Sequence, residues 1–236
     1  SVAIAAMPTF SAQHALGKTD ELRASIAAAL RGVTLFALPA SVGLILLSKP
    51  LVALLYQRGE FNANDVGLVA WSLVWYAAGL VGHSIMEILT RAYYAQHDTK
   101  TPVIIGTIAM GLNVVFSILF SRIFASLGWM PLGGLALANS LATALEAGVL
   151  LIVMRKRLNG IEGAHIARGF GSSALSALTM AVVLIFWLKA VNEFPVWVVT
   201  LGGLSIGGIT YGLCVWALKV PEIKSLTNAV SNRLRR

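Results

Sequence analysis

The chain has 236 residues, 57% of them hydrophobic and 12% charged, with a mean hydropathy of +0.79. Soluble domains run at about 45–50% apolar and about 25% charged, and a soluble fold of this length cannot hide so much apolar surface, so the composition excludes an ordinary water-soluble domain. A net charge of +8 would suit nucleic acid in a soluble protein, but here Lys and Arg fall between apolar runs, where membrane topology places them; nucleic acid is not an expected partner.

The chain opens on an apolar stub, residues 1–10, without a basic leader region or a cleavage site, so it is not a signal peptide. It reads as the end of a truncated transmembrane helix. Residues 11–31 read as a cytoplasmic amphipathic segment. Thr19 is placed to cap a helix, with Asp20 and Glu21 in its first turn. Leu22, Ile26, Leu30 and Val33 recur at helical spacing, with Arg23 and Arg31 off that stripe. Such a stripe is expected to lie on the membrane surface, or alternatively to bind a partner.

A spanning helix needs about 20 mostly apolar residues. Six runs qualify: Gly32–Tyr56, Val66–Thr90, Pro102–Phe120, Leu132–Met154, Gly171–Leu188 and Val196–Leu218. Pro39 predicts a kink in the first, and Leu51–Tyr56 reads as a short interfacial continuation after Lys49-Pro50. The fold class is therefore all-α: a polytopic transmembrane helix bundle of six full spans plus the end of a truncated one, with short amphipathic interfacial helices. Residues 32–158 hold four of the spans and residues 159–218 two more. Residues 219–236 form a basic cytoplasmic tail, in which Pro221 suits a first helical turn and Ile223, Leu226, Val230 and Leu234 make a second stripe. Cys214 stands alone inside an apolar run, so no disulfide forms within the chain.

Fourteen of the 18 Lys and Arg residues fall on one side of these spans. Lys49, Arg58, Arg122 and Lys189 fall on the other. The positive-inside rule makes the richer side cytoplasmic, which puts the C-terminus inside and the loops at Lys49–Asp65, Ser121–Pro131 and Lys189–Pro195 outside.

Ionisable groups inside a bilayer cost about 2.5–3.5 kcal/mol each on insertion scales and need a reason. His83, Glu87 and Arg91 recur every four residues and so share a helix face, with Tyr76 and Tyr94 near the same stripe. They read either as a satisfied pair near the interface, with His83 bonded to a neighbouring helix, or as one wall of a hydrophilic substrate cavity. Asn113 and Ser117 are four apart, and Asn139, Ser140, Thr143 and Glu146 mark the next span, the last of the lobe's four, with Asn139, Thr143 and Glu146 close to one face. These polar groups either bond across helices as packing or supply oxygens to a small hard cation such as Na⁺. Small residues (Gly79, Gly82, Gly133, Gly134) permit close helix approach. Neither paired carboxylates nor a Cys/His ligand set, phosphate loop or nucleophile elbow is present. The pattern is that of a transporter, with no enzyme activity and no bound cofactor expected.

Three stretches resemble a known family. They are PTFSAQHALGKTDELRASIAAALRG (Pro8–Gly32) followed by LPASVGLILLSKPLVALLYQRGEF (Leu38–Phe61), then ILTRAYYAQHDTKTPV (Ile88–Val103), then GGLALANSLATALEAGVLLIVMRKRL (Gly133–Leu158). In order and spacing they are similar to the MurJ (MviN) lipid II flippases of the multidrug/oligosaccharidyl-lipid/polysaccharide exporter superfamily. The resemblance implies a fourteen-helix fold, of which this chain supplies the end of helix eight and helices nine to fourteen. It implies translocation of lipid II, an undecaprenyl-diphosphate-linked peptidoglycan precursor, across the bacterial inner membrane by alternating access, with lipid II and membrane lipids as partners and cell-wall synthesis proteins as further ones. The last two helices would line a groove for the lipid tail. The arginines that hold the diphosphate in the family precede this stretch. A family cation site between helices eleven and twelve maps onto Asn113, Ser117, Asn139 and Ser140, with coupling to Na⁺ or to protons and the membrane potential. Glu146 is the acid nearest that set in sequence; none stands beside Asn113. The alternatives are an exporter of another lipid-linked glycan or drug in the same superfamily, and an inactive membrane scaffold for cell-wall enzymes.

Overall fold

The computed structural model describes residues 2–191 and 193–218; the expected basic tail lies outside the described residues. Among them the chain forms α1 (Val2–Ala15), α2 (Thr19–Leu46), α3 (Ser48–Tyr56), α4 (Ala63–Ala78), α5 (Leu80–Ala95), α6 (Lys100–Ser126), α7 (Pro131–Arg157), α8 (Gly163–Ala190) and α9 (Val196–Ala217). Helices α2, α6, α7, α8 and α9 are each long and apolar enough to cross a bilayer. The sixth expected span is realised as α4 and α5, a pair bent by 48° at Gly79.

Helix α7 is the hub, packing on α4, α5 and α6, while α2 packs on α1, α4, α5 and α8. The main core gathers at the Lys/Arg-rich end, where Phe10 of α1, Leu22, Ile26 and Leu30 of α2, Ile88 and Tyr93 of α5, and Leu150 and Met154 of α7 are all buried. This corrects the reading of residues 11–31. The amphipathic stripe is continuous with the first span in one 28-residue helix, and it faces protein rather than a membrane surface. The physical reason is that α1, α5 and α7 together make a socket for it, and each such side chain gains about 1.5–3 kcal/mol over exposure to water. Nor does Thr19 cap α2: the residue before the helix is Lys18, with no side-chain cap. Two ion pairs, Lys18–Glu21 at 2.8 Å and Arg23–Asp20 at 2.9 Å, brace that first turn instead.

Pro39 lies inside α2. It has no N–H to offer the carbonyl four residues back, and that carbonyl, of Leu35, accepts instead from the Tyr211 hydroxyl of α9 at 2.6 Å. The chain then stops helix at Leu46 and resumes as α3 at Ser48, so the short continuation begins a few residues before the Leu51 expected from the sequence. The following loop enters α4 through a capping box, in which Asn62 Oδ1 accepts from Asn64 N at 2.8 Å and Asp65 Oδ2 from Asn62 N at 2.9 Å.

Asp98-Thr99-Lys100-Thr101-Pro102 forms the tight turn into α6. The Asp98 carboxylate accepts from Thr101 N at 3.0 Å and from the Thr101 hydroxyl at 2.7 Å. It also binds the Arg157 guanidinium at the end of α7. The Thr101 backbone N–H, the Thr101 hydroxyl and Arg157 hold its carboxyl down to about pKa 2. Arg157 lies 5.2 Å from the centre of the Tyr93 ring, and the Tyr93 hydroxyl donates to Leu150 O at 3.0 Å. The ends of α5, α6 and α7 are thus tied into one unit.

A polar cleft at a broken helix

The bend between α4 and α5 sits at a close contact with α7. A Cβ on Gly79 would lie 2.7 Å from Ser140 Cα, so only glycine lets α7 approach this far. Bending costs backbone hydrogen bonds, which in an apolar solvent must be replaced. Gly79 N donates to Tyr76 O instead of to Trp75 O, its partner in an unbroken helix. Trp75 O accepts from the Ser140 hydroxyl of α7 at 2.7 Å. The neighbouring Ala77 O accepts from the Ser41 hydroxyl of α2 at 2.6 Å. Two serines, one from each flanking helix, therefore complete the break.

Beside the break is an open cleft of about 220 Å³, lined by Tyr76, Gly79, Leu80, His83, Asn139, Ser140 and Thr143. Tyr76, His83 and Asn139 are exposed. The α7 wall is the stripe of Asn139 and Thr143, four apart. Three residues further on the same face is Glu146, whose Oε1 lies 3.1 Å from the position of a Cβ on Gly106 of α6.

The candidate residues read from the sequence separate into distinct places. Of His83, Glu87 and Arg91, only His83 lines the cleft. Glu87 accepts from Arg91 Nε at 3.1 Å and pairs with its guanidinium, so these two satisfy each other one and two turns away. Of Asn113, Ser117, Asn139, Ser140 and Glu146, only Asn139 and Ser140 line the cleft. Ser117 donates to Asn113 Oδ1 at 3.2 Å within α6. Glu146 is seven residues from Asn139, about 10 Å along the helix. Among the described residues, no three His, Cys, Asp or Glu side chains are placed to hold a metal ion together. Sequence reasoning had Tyr76 near the His83 stripe, Thr143 among the polar groups of its span and Gly79 as a small residue for close packing, without joining them into one site, and it left Leu80 out. Tyr76, Gly79 and His83 follow helical spacing, as do Asn139 and Thr143, and that shared periodicity was the available signal.

Comparison with known proteins decides the family. A model of the family described as "Lipid II flippase MurJ" matches residues 1–204. The chain belongs to the MurJ family. A Vibrio cholerae relative described as a probable lipid II flippase MurJ is 29% identical over 213 residues, covering 89% of this chain and 39% of the relative. A Burkholderia cenocepacia lipid II flippase MurJ is 34% identical over 151 residues, covering 64% of this chain and 28% of the relative. A solved MurJ structure in an inward closed conformation superposes with a TM-score of 0.76 at 25% identity, over 92% of this chain and 42% of that one. The chain therefore spans about two fifths of the length of the Vibrio relative and of the solved structure. Family membership and the apolar helices together make it a multi-pass membrane protein.

Proposed function

We propose that this chain works as the C-terminal part of a lipid II flippase, moving an undecaprenyl-diphosphate-linked peptidoglycan precursor across the bacterial inner membrane. The observation that carries the reading is the MurJ family match over residues 1–204. The cleft adds to it: polar side chains exposed at mid-span are costly against lipid and gain solvation if that face borders a water-filled path. In this reading the α4–α5 wall and α7 form one side of a central cavity, and a second lobe supplies the other side together with the cationic groups that hold the diphosphate. Alternating access then proceeds by rocking of one lobe against the other. The Lys/Arg-rich end, with Asp98 and Arg157, faces the cytoplasm by the positive-inside rule, and the C-terminus lies there too. Coupling to Na⁺, or to protons and the membrane potential, would act through the polar groups of α6 and α7, of which Asn113, Ser117 and Asn139 are nearest in level.

The test is to express the full-length gene in cells depleted of their own lipid II flippase and to assay lipid II in the outer leaflet. Restored growth with outward lipid II is expected. Good membrane expression without rescue would overturn the reading and favour an exporter of another lipid-linked glycan, or a scaffold that recruits cell-wall enzymes.

A further inference from the structure

The polar groups set in the cleft's largely apolar lining are hydroxyls, an amide and an imidazole, from Tyr76, His83, Asn139, Ser140 and Thr143, with Gly79 and Leu80 between them. Neither Lys nor Arg is among the described residues that line it. The nearest guanidinium on the same helix face, Arg91, is already bonded to Glu87. The Ser140 hydroxyl is committed as a donor to Trp75 O and keeps acceptor capacity where it lines the cleft. The Asn139 side chain is exposed and offers both amide donors and a carbonyl acceptor. Tyr76, 52% exposed, presents an apolar ring face with a polar tip. A diphosphate wants fixed positive charge and bidentate donors, and this lining has neither. A neutral group rich in hydroxyls and amides finds matched donors and acceptors, plus an apolar face for its C–H surface. The cleft, at about 220 Å³, is below the roughly 300–1,000 Å³ of pockets that enclose a whole drug-sized ligand, so it suits one ring or one amide unit of a larger head group.

We infer that this cleft is a subsite for the uncharged, hydroxyl- and amide-bearing part of the lipid-linked substrate, separate from the site that holds its diphosphate. The inference rests on the flippase reading above and assigns a part of the substrate to this lobe. Sugar acetamido groups and peptide amides share the chemistry, and the experiment separates them.

The test uses the full-length protein in nanodiscs and compares binding of three lipids: undecaprenyl diphosphate, undecaprenyl diphosphate carrying a single N-acetylglucosamine, and lipid II. Two variants are measured beside the wild type, Asn139→Ala and the isosteric Thr143→Val. Loss of a hydrogen bond in the cleft is expected to weaken binding of the head-group-bearing lipids by about tenfold while leaving undecaprenyl diphosphate unchanged. Weakening of both sugar-bearing lipids assigns the subsite to the sugar; weakening of lipid II alone assigns it to the peptide-bearing portion. Undecaprenyl diphosphate serves as the internal control for a folded protein, and Thr143→Val keeps the test decisive if Asn139→Ala does not fold. Equal weakening of all three lipids by Thr143→Val, or no change with any, overturns the subsite while leaving the flippase reading intact. A wild-type protein that binds none of the three overturns both.

Discussion

Tyr211 donates to Leu35 O because Pro39, four residues on, has no N–H to give. Ser140 and Ser41 do the same for Trp75 O and Ala77 O at the α4–α5 break. In each case a hydroxyl from a neighbouring helix replaces a backbone donor that water would otherwise supply. Such bonds inside membranes are worth roughly 0.6–1.7 kcal/mol, so Tyr211→Phe is expected to cost about 1 kcal/mol of stability and to speed hydrogen exchange in α2 around Pro39; unchanged exchange there would contradict the assignment. Asp98 behaves differently, as a charge. Its carboxyl is held at about pKa 2 against an ordinary 3.8, so its contribution to stability is present above the ordinary value and is lost as pH falls through the lower one. The melting temperature of wild type minus that of Asp98→Asn should therefore be constant from neutral pH down to about pH 4 and shrink towards about pH 2. A difference that did not change with pH would mean the carboxylate's charge is irrelevant there. These pairings were only half legible in the sequence. Pro39 announces a missing donor and the Asp98 turn announces a tie between spans, but their partners Tyr211 and Arg157 are distant in the chain, and no local pattern names them.

At the scale of the element, hydropathy located the spans because the bilayer imposes a length of about 20 apolar residues. It could not locate the break at Gly79. The residue that meets Gly79 there is Ser140, more than sixty residues away, and a glycine in an apolar run looks the same whether or not a neighbour presses on it. The stripe of Leu22, Ile26 and Leu30 was visible but misassigned, since periodicity reports that a helix has an apolar face and not whether lipid or protein covers it. Likewise the every-fourth spacing of His83, Glu87 and Arg91 is real, yet the structure divides it between a cleft residue and a self-satisfied pair. The break makes a sharp prediction. Gly79→Val places a branched side chain where even a Cβ meets Ser140. It should push α4 and α5 off α7, cost about 1–3 kcal/mol as overpacking does, and reduce transport by distorting the cleft that Gly79 lines. Ser140→Ala, which only removes the donor to Trp75 O, should be markedly milder in a proteoliposome flipping assay; equal effects would separate the cleft from the bend.

For the whole molecule the decisive contrast is between two exposed faces. Helix α6 exposes Ile104, Ile108, Met110 and Val115, as a surface against lipid tails should. The face of α5 and α7 that exposes His83 and Asn139 has the opposite chemistry and calls for water or substrate. The chain covers about two fifths of its Vibrio relative and of the solved MurJ structure; if, as proposed, it forms one wall of a two-lobe path, reconstituted residues 1–236 should show no lipid II flipping.

The claim that this cleft faces the substrate path is tested most directly by cysteine accessibility in the full-length protein, made otherwise cysteine-free by changes that include Cys214→Ser. Asn139→Cys and Ile108→Cys would each be exposed to a membrane-impermeant thiol reagent, with and without lipid II. The account predicts that Asn139→Cys is labelled, that lipid II protects it, and that Ile108→Cys stays unlabelled. An Asn139→Cys as unreactive as Ile108→Cys, or labelled without any protection by lipid II, would contradict it.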